Sequence, residues 1–253
     1  MIMTVRTLLP LLALSLSVFV SRADKPFFST ERPASMVEVG VHAIVGATAV
    51  TENYSSQIPG VEKADSHPGL GLGVGARVSF VLRDYIALTT GLDMLWSHNK
   101  CTMTTVGDGT PNVNNIYLSN NYLYARAPVL MSFRLNLADQ AQWIIDAGVY
   151  FATGLSGRQK ADVYTTGVND LGQLVTRCYR ESWDYFRNDA GLIHTAHSFD
   201  FGLQLGTSFC FRGHYTAGVT FSYGLKDAAK PLGPLDKVSM HNIDWLGYIG
   251  YRF

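Results

Sequence analysis

Charged side chains are scarce in this sequence of 253 residues, where Asp, Glu, Lys and Arg together make up 16%, against about 25% in an average soluble domain. The 20 basic and 20 acidic residues cancel, so no net field would attract nucleic acid or an anionic surface. Three cysteines are too few for a disulfide scaffold, and low-complexity tracts are missing. The composition disfavours nucleic-acid-binding, disulfide-rich and disordered proteins, and the charge deficit argues against ordinary exposure to water.

The common enzyme signatures are also missing. The sequence has no HExxH, P-loop, CxxC or GxSxG motif. The stretch Gly71–Ala76 (GLGVGA) matches the dinucleotide-binding glycine pattern by letters, but it lies in a predicted strand and no helix follows. We therefore interpret its glycines as interior packing and predict no catalytic residue, no cofactor and no metal site.

The amino terminus has the pattern of a secretory signal peptide. One positive charge at Arg6 precedes an apolar stretch from Leu8 to Val20, and the small residues Ser21 and Ala23 follow it. The stretch is shorter than the roughly 20 residues of a membrane-spanning helix. We predict a signal peptide over residues 1–23, a periplasmic lead over 24–35 and one exported domain over 36–253.

Hydrophobicity alternates with a period of two along the rest of the chain, which indicates β-strands. Eight segments are predicted, at 36–50, 70–82, 86–97, 122–135, 143–155, 198–212, 215–225 and 242–253. Each has ten or more residues, enough for a tilted strand of about 9–11 residues to cross a bilayer. The connections alternate between long and short, which is typical of up-and-down barrels. We predict an all-β, eight-stranded antiparallel transmembrane barrel with long extracellular loops and short periplasmic turns, and closure by ten strands stays open.

The two faces of these strands differ in a way that predicts which one meets lipid. The less apolar face carries Gly, Ser and Thr instead of the many Lys and Glu of a wet surface, so we assign it to the lumen. The predicted lipid-facing residues are Leu203, Val219, Phe221, Trp245, Ile249 and Tyr251.

Charges on the inward face balance. They are Glu38, Asp93, Asp146, Asp200 and Asp244, with Arg77, Arg126, Arg134, Arg212 and Arg252. Because an unpaired buried ion costs several kcal/mol, this balance predicts a salt-bridge network. An eight-stranded barrel is barely wide enough for its own side chains, so we predict a filled lumen. A register slip would instead leave some of these charges at the rims, and Arg126 and Glu38 are the most sensitive to it.

Four stretches carry a family resemblance: APVLMSFR (127–134), SFDFGL (198–203), YGLKD (223–227) and GYIGYRF (247–253). In their order and spacing, the chain resembles the PorT-like family of Gram-negative outer-membrane β-barrels, which are similar in size to the OmpX and OmpA membrane domains. The resemblance implies that Phe253, with Tyr251 and Ile249, is the signal that barrel-assembly machinery recognises. It also allows a role beside protein secretion or surface gliding, and it transfers no functional residues.

The predicted outer loops hold the remaining candidates. Cys101 and Cys178 lie in the second and third loops and allow a disulfide outside the cytoplasm, whereas Cys210 faces inward as buried filler. Trp183, Tyr185 and Phe186 form a candidate contact surface for a partner, or alternatively a cap on the barrel mouth. Alternating stretches at 161–165 and 174–179 predict a hairpin in the third loop.

Together these observations predict a non-enzymatic integral protein of the Gram-negative outer membrane. It would contact outer-membrane lipid and act as a surface-binding or secretion-associated scaffold, with an extracellular or secretion-system protein as partner. Two alternatives stay open. One is a small passive porin, and the other is a rim-located hydrolase of lipid A that uses residues among Asp189, His194, His197, Ser198 and Asp200.

Overall fold

The computed structural model describes residues 26–33, 35–53, 60–106, 112–187, 196–230 and 238–253. The predicted signal peptide lies outside these residues. The strands are β1 (Val37–Glu52), β2 (Val61–His67), β3 (Gly69–Arg83), β4 (Ile86–Val106), β5 (Val113–Ala138), β6 (Ala141–Val168), β7 (Leu174–Asp184), β8 (Phe199–Phe211), β9 (Tyr215–Gly224) and β10 (Met240–Arg252). Within the described ranges, no helix is long and apolar enough to cross a membrane.

Eight of the ten strands close into a ring. Around the ring the order is β1, β3, β4, β5, β6, β8, β9 and β10, and β10 pairs with β1. Every pairing is antiparallel. Closure gives each strand two neighbours, so the ring leaves no open edge along its shared height. The ring therefore has eight strands and not ten. The other two strands, β2 and β7, pair outside the ring with β4 and β6, respectively.

Large apolar side chains cover the outside of the ring in a continuous belt, which we call the apolar band. On β5 its outward positions run from Leu123 to Leu135. Twelve rises of about 3.3 Å at a tilt of about 40° give a height of about 30 Å, the thickness of a bilayer's hydrocarbon core. The band ends above at a row of polar outward residues joined by strand pairing: Thr51 with His241, and His98 with Asn121 and Arg158.

Three strands continue well beyond the apolar band and build a sheet that extends past the ring, which we call the wall. It consists of β2, the upper parts of β4, β5 and β6, and β7, in that order. The prediction that residues 98–120 and 156–187 are loops is therefore wrong for most of them, whereas the hairpin predicted at 161–165 and 174–179 is confirmed by the pairing of β6 with β7. The apolar face switches from outward to inward here, with Thr102 and Thr104 outside and Cys101 and Met103 inside, so the pattern of the apolar band does not continue into the wall.

The short-turn end of the ring is closed from below by the amino-terminal lead. The backbone N–H of Asn136 donates to the carbonyl of Phe27 over 3.0 Å, and that of Asp84 donates to Glu31 over 3.2 Å. The ring of Phe28 lies 4.5 Å from that of Tyr85, between centroids. The described part of the lead thus docks against the turns that join β3 to β4 and β5 to β6.

Candidate functional site

The floor of the lumen is an ion cluster on one carboxylate. Oε2 of Glu38 accepts from Nη2 of Arg134 over 2.8 Å and from Nη1 of Arg252 over 2.7 Å. Arg252 also donates to the sulfur of Cys210 over 2.7 Å. Strands β1, β5, β8 and β10 supply these residues because their inward faces meet at the short-turn end. The cluster joins opposite parts of the ring at its narrow base.

A second layer lies above the floor and includes a histidine that the sequence analysis missed. Nε2 of His42 lies 2.8 Å from Oδ1 of Asp93, and both side chains are buried. A Cβ at Gly75 would approach these two atoms to 2.6 and 2.0 Å, so the pair depends on a glycine opposite it. Arg77 places its guanidinium carbon 4.5 Å from the ring centroid of Tyr248, a cation–π contact.

Asp146 belongs to a hydroxyl chain at the same height. Its Oδ1 accepts from the hydroxyl of Ser132 over 2.5 Å, and Ser132 contacts Thr89 over 2.7 Å. Thr89 in turn contacts Ser79 over 2.9 Å. The three hydroxyls and the carboxylate lie on four neighbouring strands, and among the described residues Asp146 has a hydrogen bond to Ser132 and no direct ion pair.

The third layer contains a buried ion pair between Arg126 and Asp244. Nη1 of Arg126 also donates to Ser222 over 3.3 Å, and its guanidinium stands 4.5 Å from the ring centroid of Tyr150. The hydroxyl of Tyr150 and the amide of Asn242 each donate to Oδ2 of Asp200 over 2.9 Å. The ion pair crosses the lumen, and the hydrogen bonds of Tyr150 and Asn242 join Asp200 to strands on either side, β6 and β10.

Aromatic rings close the mouth above these layers. Tyr122 stacks on Tyr185 with 4.9 Å between centroids and 7° between planes, and Phe186 packs edge-on against Tyr122 and Tyr124. Both Tyr185 and Phe186 are buried. A Cβ at Gly154 would lie 2.3 Å from the Phe186 ring, so that glycine leaves the room which the ring fills. The interpretation of Tyr185 and Phe186 as an exposed partner surface is therefore wrong, because they cap the barrel instead.

A ladder of amide groups runs along the inner face of the wall. The indole N–H of Trp183 donates to Gln159 over 2.6 Å, and Gln159 donates to Asn120 over 2.8 Å. Asn120 continues to Asn99, and Asn99 to the hydroxyl of Tyr122, each over 2.9 Å. Trp183 is half-buried because it packs against an apolar core on this face. With its hydrogen bond to Gln159, it belongs to the inner face of the wall and is not an exposed contact.

An apolar core fills the space between the inner face of the wall and residues 228–229 and 238–240. Its buried residues are Val50, Val61, Cys101, Met103, Leu118, Ala161, Val163, Ala228, Ala229, Val238 and Met240. Glu52 lies beside this core, above the apolar band, and its Oε2 has no hydrogen-bond partner. Burial raises the pKa of Glu52 from 4.5 to about 7, partly offset by a hydrogen bond with Cys101.

Two predictions are wrong: Arg212 does not face the lumen, and Cys101 and Cys178 do not form a disulfide. Arg212 lies outside the lumen, because the turn between β8 and β9 holds it at φ 51° and its guanidinium stacks on the outward Phe211 ring. Cys101 and Cys178 are both free thiols. Cys101 faces the apolar core from β4, whereas Cys178 lies on the outer face of β7, three strand spacings away. At about 4.8 Å per spacing this separation exceeds the roughly 7 Å limit for a disulfide.

The predicted lipid-facing residues all lie on the outside of the ring. Five of them are exposed to between 38% and 69%, namely Leu203, Val219, Trp245, Ile249 and Tyr251. Phe221 is half-buried because it leans on Trp245, with 4.7 Å between ring centroids. Phe253 is also exposed at the end of β10, and its backbone N–H donates to Val39.

The residues considered for hydrolysis do not assemble in the described part of the chain. Asp189 and His194 lie outside the described residues. The carboxylate of Asp200 accepts from Tyr150 and Asn242, and among the described residues no side-chain hydrogen bond joins it to His197 or Ser198. Among the described residues, no cluster of His, Cys, Asp and Glu could hold a metal ion.

The resulting arrangement defines a class of protein by its geometry. It is a closed, antiparallel, eight-stranded ring with an apolar outside and a polar, interlocked inside. A cavity of about 70 Å³ remains between the floor and the second layer, lined by Glu38, Arg77, Arg134 and Asp146 among others. That volume holds a few water molecules and is no passage for a solute.

No protein-family model matches the chain, and no curated protein matches it. Among solved structures, it is similar to Ail, the attachment invasion locus protein of Yersinia pestis, with 12% identity and a TM-score of 0.35 over 87% of this chain and 100% of Ail. The outer membrane protein OprG from Pseudomonas aeruginosa gives 15% identity and a TM-score of 0.35 over 89% of this chain and 99% of OprG. Neisserial surface protein A gives 8% identity and a TM-score of 0.33 over 88% of this chain and 100% of that protein. At these TM-scores, the similarity assigns no function.

Proposed function

We propose that this chain is a non-enzymatic, integral barrel of the Gram-negative outer membrane that carries the wall outside the cell as a binding scaffold. The observation that carries the proposal is the combination of a continuous apolar band with a lumen crossed by the Arg126–Asp244 pair. The apolar band suits a protein surrounded by lipid. The blocked lumen suits a barrel that binds partners at its surface and does not conduct solutes.

Aromatic side chains at both borders of the apolar band support a membrane location. Trp96, Phe199 and Tyr223 lie near the wall, and Trp143, Phe211, Tyr215 and Tyr251 lie near the short turns. In this orientation, the short turns and the carboxyl terminus are periplasmic. Ile249, Tyr251 and Phe253 are then the signal by which assembly machinery recognises the barrel, as the PorT-like resemblance implies.

The lumen argues against a passive porin. The floor cluster, the central ion pair and the aromatic cap lie one above another, so a solute would have to displace all three. We expect no conductance in planar bilayers. A stable single-channel conductance of the unmodified barrel would favour the porin. Unaltered lipid A on mass spectrometry after expression is expected for a scaffold, and trimmed acyl chains would favour the hydrolase.

The wall offers an open edge to a partner protein. Strand β7 pairs with β6 on one side, and within the described part of the chain no strand pairs with its other side. The side chains from Leu174 to Arg180 are exposed. Unpaired edge strands bind extended segments of other chains by adding a strand. We therefore propose a secretion-system or extracellular protein as the partner, held at β7.

Cys178 makes this proposal testable with the natural chain, because its thiol is exposed on β7. A photoreactive maleimide attached to Cys178 in intact cells should crosslink one defined protein, which mass spectrometry would identify. As a control, the segment 165–177 is replaced by Asn-Gly, which keeps the pairing of Tyr164 with Cys178 and removes the tip of the hairpin. The barrel should still fold, and the crosslink should disappear. Persistence of the same crosslink in the shortened variant would reject β7 as the binding edge.

A further inference from the structure

A patch of basic residues lies on the outer face of the wall, immediately above the apolar band. Strand pairing aligns His98, Asn121 and Arg158 in one row, and Lys100, Ser119 and Lys160 in the next row. These side chains share the face that carries Trp96 in the band below. The three permanent cations Lys100, Arg158 and Lys160 are exposed. We call them, with Asn121, the basic patch.

Three acidic residues of the same face have partners outside the basic patch, although Asp184 is also the strand neighbour of Arg158. Asp65 accepts from Lys63 over 2.6 Å, and Asp162 from Arg180 over 2.9 Å. Oδ1 of Asp184 accepts from the backbone N–H groups of Phe186 and Arg187. Within the described residues, no carboxylate pairs with a cation of the basic patch. The patch therefore has positive charge free to bind an anion from outside the chain.

A cleft leads from the basic patch down to the apolar band. It has a volume of about 320 Å³ and is lined by Trp96, Asn121, Tyr122, Leu123, Ser156, Gly157 and Arg158. Its lower wall is apolar, and its upper wall carries the guanidinium of Arg158 and the amide of Asn121. A β-bulge forms its side, because Leu123 pairs with Ser156 whereas Tyr124 pairs with Gly154. Bulges of this kind redirect side chains at binding sites.

The polar groups of the cleft are arranged as donors. Nδ1 of His98 lies 2.9 Å from Oδ1 of Asn121, so the histidine N–H occupies the amide oxygen. The amide nitrogen of Asn121 is then left to donate beside Arg158. The rings of Trp96 and His98 are parallel within 8°, and Trp at this height is typical of a membrane–water interface. The arginine and amide donors of the cleft suit phosphate oxygens, and Lys100 and Lys160 lie in the next row of the wall above them.

We propose that the basic patch and its cleft bind the phosphate of an outer-leaflet lipid headgroup, with the acyl end against Leu123 and Trp96. This inference rests on the proposed function, because only a barrel oriented in the outer membrane brings the patch level with those phosphates. Cations at this height each contribute about 1 kcal/mol to binding anionic lipid, or about fivefold in affinity. Three of them account for about a hundredfold.

The test uses the barrel in nanodiscs of phosphatidylcholine, with bisphosphorylated lipid A as the added probe and retained lipid counted by native mass spectrometry. The triple variant K100Q/R158Q/K160Q should lose about a hundredfold in affinity for the probe. The matched control R83Q/R177Q/R212Q removes the same charge at the short turns and at the tip of the β6–β7 hairpin, leaves the acidic residues of the outer face paired, and should stay close to wild type. Asn121→Asp places a carboxylate in the cleft and should also weaken retention.

Three outcomes would overturn the inference. They are equal losses in both triple variants, equal retention of dephosphorylated lipid A, and displacement of the probe by inorganic phosphate at comparable concentration. Insertion is followed in the same samples by protease protection and by heat-modified mobility in gels. A wild-type barrel that inserts without preferring the phosphorylated probe rejects the lipid site alone. A chain that does not insert rejects the proposed function as well.

Discussion

Arg126 on β5 and Asp244 on β10 form an ion pair across the full diameter of the barrel, because their strands are four steps apart in either direction around the ring of eight. Such a pair cannot form through a neighbour-to-neighbour ladder. It requires two inward side chains at the same height to meet on the axis. The pair therefore fixes how the two halves of the ring face each other, and it blocks the lumen where they meet.

Removal of one partner of this pair should destabilise the barrel strongly. Arg126→Met leaves the buried carboxylate of Asp244 without its cation, at a cost of about 3–5 kcal/mol. The double variant R126M/D244L should recover most of that loss, because two apolar side chains need no compensation. Urea unfolding in lipid vesicles measures both free energies. If the double variant is no more stable than R126M, the cost lies in packing and not in the uncompensated charge.

Val219 tests the assignment of the outer face to lipid. It lies halfway along β9 and is 53% exposed, so Val219→Arg places a cation near the bilayer midplane. We expect a loss of about 2–4 kcal/mol in vesicle unfolding titrations. The control Thr51→Arg points the same way from β1 but lies above the apolar band, and its cost should be about 0–1 kcal/mol. Equal effects of the two substitutions would reject the location of the band.

Glu52 should make the stability of the barrel depend on pH. Its folded-state pKa of about 7 exceeds the ordinary 4.5 because of burial, so the folded chain keeps a proton that the unfolded chain loses between these values. The stabilisation is complete below pH 4.5 and is lost as the pH rises to about 7, a change on the order of 3 kcal/mol.

Glu52→Gln should remove this pH dependence and leave the barrel more stable at neutral pH than wild type. Unfolding free energies below pH 4.5 and above pH 7 measure the effect. Glu181→Gln, on exposed β7, is the matched control and should retain the full dependence. A pH profile of the Glu52→Gln variant that parallels wild type would show that another group is responsible.

Gly154 should be essential for the aromatic cap. A Cβ there would lie within 2.6 Å of three atoms of the Phe186 ring, so Gly154→Val forces the ring out of its site at a cost of about 1–3 kcal/mol. Phe186→Ala in the same chain removes the ring that clashes, so the double variant should lose less stability than the sum of the two single losses. Unfolding titrations compare the three variants. Strictly additive losses would mean that the two residues do not meet.

Strand pairing and facing could be predicted where one face is apolar and the other is small and polar. The segment of Val219 and that of Ile249 alternate in this way, and both strands occur as expected. The wall could not be predicted in the same way. On β4 the apolar residues face outward at Trp96 but inward at Cys101 and Met103, so the facing reverses above the apolar band and the pattern of the band does not continue although the strand does.

The alternation of residues along each strand predicts which side chains of the site face the lumen. It does not predict which of these side chains contact one another. The alternation predicted that Glu38 and Arg134 face the lumen, but it could not predict that they form an ion pair at its base. It missed His42 because a lone histidine in a strand has no pattern, although its inward position followed from the alternation of β1. It misplaced Arg212 because a left-handed turn residue ends the strand before its side chain can face inward.

The three cysteines should differ sharply in reactivity on the folded barrel. Cys178 is exposed, whereas Cys101 and Cys210 are buried, and burial also raises the pKa of the Cys101 thiol and lowers its thiolate fraction. A thiol reagent should therefore label one site in the native state and all three sites after denaturation, with no reductant needed. Cys178→Ser should abolish native labelling, and Cys101→Ser should leave it unchanged. Native labelling of Cys178 that appears only after reduction would restore the disulfide with Cys101 and would contradict the opposite facing of the two side chains on the wall.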